Sequence, residues 1–394
     1  MLTLLALTAL LSQVPQGPTP QSPKPEAVLE QGPTSATGKP KTKVDDEAWF
    51  DRKLADECAK AADRGLAWLQ KQQLSSGAWV GYVGHKQQDN YQLLDNALLP
   101  DAQRSKGEGH LGVTAICGMA FLAGGHLPDR GRYQDVIKRA EDFVITRSQQ
   151  SGLLSAAGTR MYSHAFGTLF LAEVYGMAAN ERAKVTLEKA VNLIVDCQNQ
   201  HGGWRYNAFD RELDLSVTVC QLQALRAARN IGIRVPSETI DRAMGYVSKS
   251  RVQNGYDRGL YYYKIYGRGQ YQKSQQYAIN AAAMTALASA GVHDDELSDP
   301  VLSFLEKQYA NVAGGYYRDH FYYWYGNYYA AQAFYQFGGP RLRAFYARLA
   351  RDLLDAQAAD GRWRNRVGPG DEMGTAMACI LLQMPRQYLP IFQR

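Results

Sequence analysis

The 394-residue sequence predicts an all-α fold, an (α/α)6 toroid in which six helix pairs form two concentric rings. A Gln-x3-Gly-x-Trp pattern occurs three times unchanged, in residues 73–79, 198–204 and 357–363. Trp204 and Trp363 are 159 residues apart, three steps of 53, and degenerate copies lie at the intermediate positions and near residue 149. Six units of about fifty residues are typical of stacked helical repeats.

The segment before the repeats has two parts. Residues 1–20 contain the apolar run Leu2–Leu11, which has the length of a signal-peptide core and is too short to span a bilayer, although no Lys or Arg precedes it. Residues 21–44 are rich in Pro, Gln, Ser and Lys, a composition that buries too little apolar surface to offset chain entropy. We therefore expect an exported protein with a disordered tether and a toroid domain at residues 45–394.

Each unit contains two kinds of helix. The helix before the motif is amphipathic, and the helix after it is apolar or small nearly all round, so that it must be covered on both sides. Outer helices are predicted at Glu47–Gln72, Tyr133–Ser148, Arg182–Gln198, Ser237–Ser250, Pro300–Ala310 and Arg341–Ala358. Inner helices are predicted at Gly112–Ala123, Tyr162–Tyr175, Leu215–Asn230, Tyr277–Ala290, Tyr323–Phe337 and Met373–Gln383.

Composition excludes several function classes. The formal net charge of +6 is spread over a large domain without a basic cluster, so we expect no nucleic-acid partner. The five cysteines are scattered and lack a Cys-x-x-Cys pair, which favours buried apolar thiols over a metal site or a disulfide framework. We expect no cofactor and no metal.

The motif itself predicts a structural role. Glycine permits a tight turn between helices, while the indole packs on the next unit and the Gln amide bonds free groups at a helix end. Arg205, Arg318 and Arg364 follow the motif aromatics and are predicted to cap helices or stack between units.

Polar residues at the starts of the inner helices are the candidate functional residues, because parallel inner helices bring them to one mouth of the ring. Helix caps favour Asp, Ser and Thr in any protein, which explains Asp214 and Asp371 equally well. Seven tyrosines lie between Tyr316 and Tyr329, and so many hydroxyls are hard to satisfy in a dry core. The candidates are His110, Thr114, Tyr162, Ser163, His164, Asp214, Ser216, Thr218, Tyr277, Asn280, His320, Tyr325, Asn327, Tyr328, Asp371, Glu372 and Thr375.

The repeats resemble the squalene cyclase and protein prenyltransferase superfamily. Met161–Met177, Asp214–Asn230 and Tyr322–Gly339 resemble exported bacterial proteins described as prenyltransferase and squalene oxidase repeat proteins. The resemblance implies a central aromatic cavity for an apolar or isoprenoid ligand.

The same resemblance implies that the superfamily's catalytic groups are missing. The cyclases protonate their substrate with the middle Asp of an Asp-x-Asp-Asp-Thr motif, and Ser216 stands at that position between Asp214 and Thr218. A serine hydroxyl is too weak an acid to protonate an alkene. The prenyltransferases bind zinc through an Asp-x-Cys pair and a distant His, for which this sequence has Ser216 and Asn327, so no catalytic zinc is expected.

Three functions stay open. The first is a protein that binds an apolar or isoprenoid-type molecule without catalysis. The second is an exported polysaccharide lyase or glycosidase-like enzyme, which would use His164, Tyr325, Asn327 and Arg205 to move protons and stabilise charge. The third is a scaffold for a partner protein. The predicted catalytic residues are His164, Asp214, Ser216, Tyr325 and Asn327, and the predicted ligand-binding residues are His110, Thr114, Tyr162, Thr218, Tyr277, Asn280, Tyr328 and Thr375.

Overall fold

The computed structural model describes residues 50–81, 85–87, 90–92, 109–156, 160–266, 270–273, 276–314, 319–366 and 368–392. The expected signal peptide and tether, and Arg318, lie outside these residues. Six outer helices are α1 (Arg52–Gln72), α3 (Gln134–Thr146), α5 (Glu181–Asp196), α7 (Ser237–Lys249), α9 (Asp295–Ala313) and α11 (Gly339–Ala356). Six inner helices are α2 (Leu111–Ala123), α4 (Met161–Met177), α6 (Leu215–Asn230), α8 (Gln276–Ser289), α10 (Phe321–Phe337) and α12 (Asp371–Leu382).

The remaining elements are short. β1 (His85–Gln87) pairs antiparallel with β2 (Asn90–Gln92), and β3 (Lys264–Tyr266) pairs antiparallel with β4 (Gln270–Gln272). Two 3-10 turns, Met384–Arg386 and Pro390–Phe392, follow α12. The β3–β4 hairpin lies between the motif of its unit and the start of α8, on the side where the candidate residues lie.

The inner helices form a closed ring, and the outer helices surround it. Each inner helix from α2 to α12 contacts the next inner helix, and α12 contacts both α2 and α1. The inner helices are buried nearly all round, whereas the outer helices bury one face. The predicted (α/α)6 toroid is confirmed.

Two outer helices begin five residues from their predicted starts. α1 begins at Arg52 and not at Glu47, because Asp51 is its N-cap and accepts the Leu54 N–H.

The start of α9 differs for another definable reason. α9 begins at Asp295, with Asp294 as its N-cap, although Pro300 was expected to start it. Inside the helix, Pro300 has no N–H to donate to the Glu296 carbonyl. The Arg251 guanidinium donates to that carbonyl instead, at 3.1 Å, so the helix continues through the proline.

The three motif copies make the same contacts. In the central copy, Gln198 Nε2 donates to the Gly202 carbonyl at 2.9 Å and to the Thr239 carbonyl of α7 at 2.8 Å. The Trp204 indole N–H donates to the Ile194 carbonyl at 2.8 Å. Equivalent bonds of 2.7 to 2.9 Å occur in the other two copies. In these three units the motif therefore docks onto the next outer helix.

The last motif closes the ring. Gln357 Nε2 donates to the Ala61 carbonyl of α1 at 2.9 Å, so the sixth unit is joined to the first in the way that Gln73 and Gln198 join their units to the next. Within the described residues, no helix is both long and apolar enough to cross a membrane. The five cysteines are buried free thiols.

Candidate functional site

Five of the predicted site residues support the repeat motif. Each lies in the first turn of an inner helix and accepts the backbone N–H of the residue at the motif's aromatic position, over 2.9 to 3.1 Å. We call these residues the struts: Thr114, His164, Thr218, Asn280 and Thr375. All five are buried, so their polar groups serve the fold. A polar residue recurs at this place after the motif copies, so the sequence itself contains the pattern that identifies the struts.

His164 has both ring nitrogens occupied. Its Nδ1 accepts the Leu154 N–H at 3.1 Å, so the ring proton is on Nε2, which donates to the Ala190 carbonyl at 3.2 Å. Burial lowers its pKa from 6.5 to about 4 and keeps the ring neutral. This geometry leaves no lone pair with which His164 could abstract a proton from a substrate.

Three further candidates accept backbone N–H groups at the starts of inner helices. His110 Nδ1 accepts the Val113 N–H at 3.2 Å, and His320 Nδ1 accepts the Tyr322 N–H at 3.1 Å. Burial lowers the pKa of both histidines to about 4. Asp371 accepts the Asn365 N–H at 2.8 Å. Ser163 and Glu372 are buried on the inner ring as well.

A different set of candidates comes together at one end of the ring axis. We define the tyrosine mouth as Tyr162, Tyr206, Tyr263 and Tyr325, four half-buried side chains around Ser216. Tyr162 OH lies 2.5 Å from Ser216 Oγ, and Tyr325 OH donates to the Ser216 carbonyl at 3.0 Å. The hydroxyls of Tyr206 and Tyr263 are 2.6 Å apart. Tyr162, Ser216 and Tyr325, predicted from different helices, are thus direct neighbours.

Tyr206 and Tyr263 were not among the predicted residues. Both lie in loops before inner helices, whereas the predicted residues lie at the starts of the helices. Each follows the motif's aromatic position by two residues, after Trp204 and Tyr261, and this spacing is the signal that was available. The rings of Tyr162 and Tyr206 are 6.0 Å apart, and those of Tyr162 and Tyr325 are 6.4 Å apart, edge to face.

Asp214 holds the mouth together. One carboxylate oxygen accepts the Ser216 hydroxyl at 2.6 Å and the Val217 N–H at 2.9 Å, and the other accepts Arg205 Nη1 at 2.7 Å. Burial raises the pKa of Asp214, and these three donors oppose that shift. Arg205 also lies 4.3 Å above the Tyr206 ring. The carboxylate is fully buried and directed at the protein, so it orders the mouth without facing a ligand.

The mouth tyrosines are proton donors. Burial raises the pKa of Tyr162 well above its usual value, and the Asp214 charge adds to this effect. Burial likewise raises the pKa of Tyr325. Both hydroxyls stay protonated at neutral pH, so they form hydrogen bonds and do not act as bases.

Side chains of α6 and α10 meet below the mouth. α6 and α10 are joined by three pairs, each 109 residues apart in sequence: Ser216 with Tyr325, Cys220 with Tyr329 at 3.2 Å, and Gln223 with Gln332 at 2.5 Å. The constant offset means that the two helices are parallel. α8 lies between them and is rich in alanine, which leaves room for the tyrosines. Cys220, Gln223, Tyr329 and Gln332 are all buried.

Tyr277, Asn327 and Tyr328 lie below the mouth. Tyr277 OH donates to Asn327 Oδ1 at 2.9 Å between α8 and α10. Gly326 packs on the Tyr277 ring, where a Cβ would lie 2.8 Å from a ring carbon. Tyr328 OH donates to Gln223 Oε1 at 3.3 Å. All three side chains are buried, so they do not line the mouth.

Comparisons with known proteins give a fold and no family. No protein-family model matches the sequence, and no curated protein matches it. An α-1,6-mannanase, GH76A of Salegentibacter sp. HEL1_6, superposes with a TM-score of 0.59 and 10% identity, over 84% of this chain and 99% of that one. The type II terpene cyclase MstE from Scytonema gives 0.55 and 12%, over 86% and 99%. The family 76 mannosidase Bt3792 from Bacteroides thetaiotaomicron gives 0.56 and 11%, over 84% and 98%.

Proposed function

We propose that the protein is an exported toroid that binds a saccharide at the tyrosine mouth without cleaving it. The observation that carries this proposal is the group of four half-buried tyrosine rings around Ser216, ordered by the Arg205–Asp214 ion pair. Aromatic faces pack against the C–H faces of sugar rings, and the surrounding hydroxyls and guanidinium bond sugar hydroxyls. Export is inferred from the signal-like residues 1–20.

A saccharide fits this site better than a long apolar chain. An isoprenoid needs a deep apolar cavity, whereas buried pairs between α6 and α10, Cys220 with Tyr329 and Gln223 with Gln332, lie directly below the mouth. Proteins of this fold include a mannanase solved with α-1,6-mannotriose and a terpene cyclase solved with geranylgeranyl dihydroxybenzoate. In this proposal, the resemblance to prenyltransferase and squalene oxidase repeat proteins concerns the scaffold and not the ligand.

The mouth lacks the groups that cleave glycosidic bonds. Glycoside hydrolases generally use two carboxyl groups facing the scissile bond. Of the two carboxylates that the described residues place beside the mouth, Asp214 is buried with its oxygens bonded, and Glu212 forms ion pairs with Lys264 and Arg205, which lowers its pKa and keeps it from acting as a general acid. A lyase needs a base, but Tyr162 and Tyr325 stay protonated and both nitrogens of His164 are bonded. Binding is therefore the activity that the arrangement supports.

Calorimetric titration tests this proposal. The probes are α-1,6-mannotriose, a panel of glucose-, galactose- and uronate-containing oligosaccharides, and geranylgeranyl dihydroxybenzoate. We expect an oligosaccharide to bind and Tyr162→Ala to weaken it about tenfold, since one stacked aromatic contributes about 1 kcal/mol or more. Tyr388→Ala, an exposed tyrosine beyond the other end of the inner ring, is the matched control and should bind as the parent does. Binding of the prenylated probe alone would overturn the proposal.

A further inference from the structure

Exposed aromatic side chains are concentrated beside the tyrosine mouth. Four Phe, Tyr or Trp side chains are exposed among the described residues, and three of them lie in the segments before α6 and α8 that also supply two of the mouth tyrosines. An exposed aromatic residue at a random place needs no explanation, but three of four beside one site indicate a shared use. We call these three residues, Phe209, Tyr256 and Tyr271, the aromatic rim.

Tyr271 of β4 provides a flat aromatic surface. Its ring stacks on that of Tyr262, with the centroids 4.5 Å apart and an angle of 20° between the planes. The Tyr271 side chain nevertheless remains 52% exposed. The Tyr263 N–H donates to the Gln272 carbonyl at 2.9 Å, so the backbones of Tyr271 and Tyr263 lie within roughly 10 Å of each other. The stack is therefore a short distance from the mouth.

Ion pairs attach the β3–β4 hairpin to two neighbouring loops. Lys264 Nζ of β3 lies 2.6 Å from Glu212 Oε2 in the loop before α6. Lys273, directly after β4, pairs with Asp257, the neighbour of Tyr256 in sequence. These ion pairs restrict the motion of the aromatic rim before a ligand binds, which lowers the conformational entropy that binding would cost.

Phe209 has a backbone conformation that costs free energy. Its φ of +59° lies in the left-handed region, which bulky residues rarely adopt. Asn199 Nδ2 holds this loop by donating to the Asp210 and Arg211 carbonyls at 3.3 and 2.6 Å. The Phe209 ring is 65% exposed, so burial does not offset the strain. Such strain is typical of loops that bind a ligand.

We propose that the aromatic rim binds the outer sugar rings of a polysaccharide chain whose inner rings lie in the tyrosine mouth. This inference rests on the proposed function and adds the length of the ligand to it. Separate aromatic rings beside a first sugar site suit a row of linked sugars, each of which offers a C–H face. Polar residues, among them Asn207, Asp210 and Asn254, separate the rim aromatics in the sequence. A protein or membrane partner would instead need a contiguous apolar patch.

Calorimetric titration of the full chain with saccharides of two lengths tests the inference. The probes are trimers and hexamers of α-1,6-linked mannose, β-1,4-linked glucose and α-1,4-linked galacturonate. In at least one series we expect the hexamer to bind more tightly than the trimer. Tyr271→Ala should lower the hexamer-to-trimer affinity ratio about tenfold, since one stacked aromatic ring contributes that much. Tyr388→Ala, at the exposed tyrosine beyond the other end of the inner ring, should keep the ratio of the parent.

Phe209→Gly separates binding from stability. Glycine adopts a positive φ without strain, so this variant should unfold at or above the Tm of the parent while its affinity ratio falls. The inference is overturned if the ratio of the parent persists in both Tyr271→Ala and Phe209→Gly, or if the parent binds anionic phospholipid vesicles and Tyr271→Ala abolishes that binding. If the parent binds no trimer and no hexamer, the proposed function fails together with this inference, whereas trimer binding with no gain for the hexamer overturns the inference alone.

Discussion

At the residue scale, the same type of hydrogen bond recurs in five units and is made by three kinds of side chain. The struts are three threonines, Asn280 and His164, and each accepts one backbone N–H beside the motif. A buried N–H without an acceptor costs about 1 to 3 kcal/mol, so the position requires an acceptor and not a particular residue. His164 is therefore explained by the fold, although histidine on an inner helix suggested catalysis.

The chain itself supplies a substitution that tests this role. His164→Asn places at the strut position the residue that Asn280 already uses. We expect the variant to fold at pH 7, whereas His164→Leu, which lacks an acceptor, should lose about 1 to 3 kcal/mol of unfolding free energy. Urea unfolding measures both. Equal losses for the two variants would contradict the strut role.

His164 should also make the protein sensitive to acid. Its pKa is about 4 in the folded state and near 6.5 in the unfolded chain, so the unfolded state binds more protons between these values. The unfolding free energy contributed by this group is complete above pH 6.5 and falls as the pH drops towards 4, by on the order of 3 kcal/mol. His164→Asn should lessen the fall between pH 7 and pH 4.5.

At the element scale, the motif turns depend on glycine. Gly202 has φ +95°, and a Cβ there would lie 2.1 Å from the Arg242 carbonyl oxygen of α7. Gly77 and Gly361 have the same conformation and the same kind of close neighbour. The close approach lets the motif Gln and Trp reach the helices that they join.

Two glycine substitutions distinguish the steric requirement of the turn from the general effect of glycine on backbone entropy. Gly202→Ala should destabilise the protein by about 3 kcal/mol or more, because both the positive φ and the clash oppose it. Gly245→Ala, inside α7 with no atom within 4 Å of the added Cβ, should stabilise it by about 0.5 to 1 kcal/mol. Chemical denaturation checks both signs. Similar small effects at the two positions would mean that the turn is not held against α7.

The elements show which features the sequence can predict. Hydrophobic periodicity and the repeated motif predict all twelve helices and their order, because the pattern of buried residues determines both where a helix lies and whether it is inner or outer. The sequence predicts the start of α9 too late, because Arg251, distant in sequence, satisfies the carbonyl that Pro300 leaves free. The struts and the mouth residues are of similar residue types. Thr218 is a strut and Ser216 lies at the mouth, and only their tertiary contacts distinguish these roles. Tyr206 belongs to the mouth because of a loop conformation that the helical pattern does not encode.

At the scale of the whole molecule, the ring is closed by the last motif. Trp363 is fully buried, donates to the Leu353 carbonyl at 2.7 Å and packs on Gly65 of α1. In a closed ring this joint is equivalent to the internal joint at Trp204, whereas in an open solenoid it would be a frayed end.

Truncation of the two indoles tests this equivalence. Trp363→Ala and Trp204→Ala should each cost about 3 to 5 kcal/mol, with unfolding still a single transition by circular dichroism. A much smaller loss for Trp363→Ala, or a separate early transition of the first and last units, would indicate an open ring.

Hydrogen–deuterium exchange with the saccharide that binds most tightly tests the central claim that the ligand lies at the tyrosine mouth. We expect protection in residues 205–217, 263–266 and 321–329, which contain or adjoin Tyr206, Tyr263 and Tyr325, and unchanged exchange in residues 384–392 at the far end. Protection along α2, α8 and α12 with the prenylated probe, and none at the mouth with any saccharide, would contradict the account.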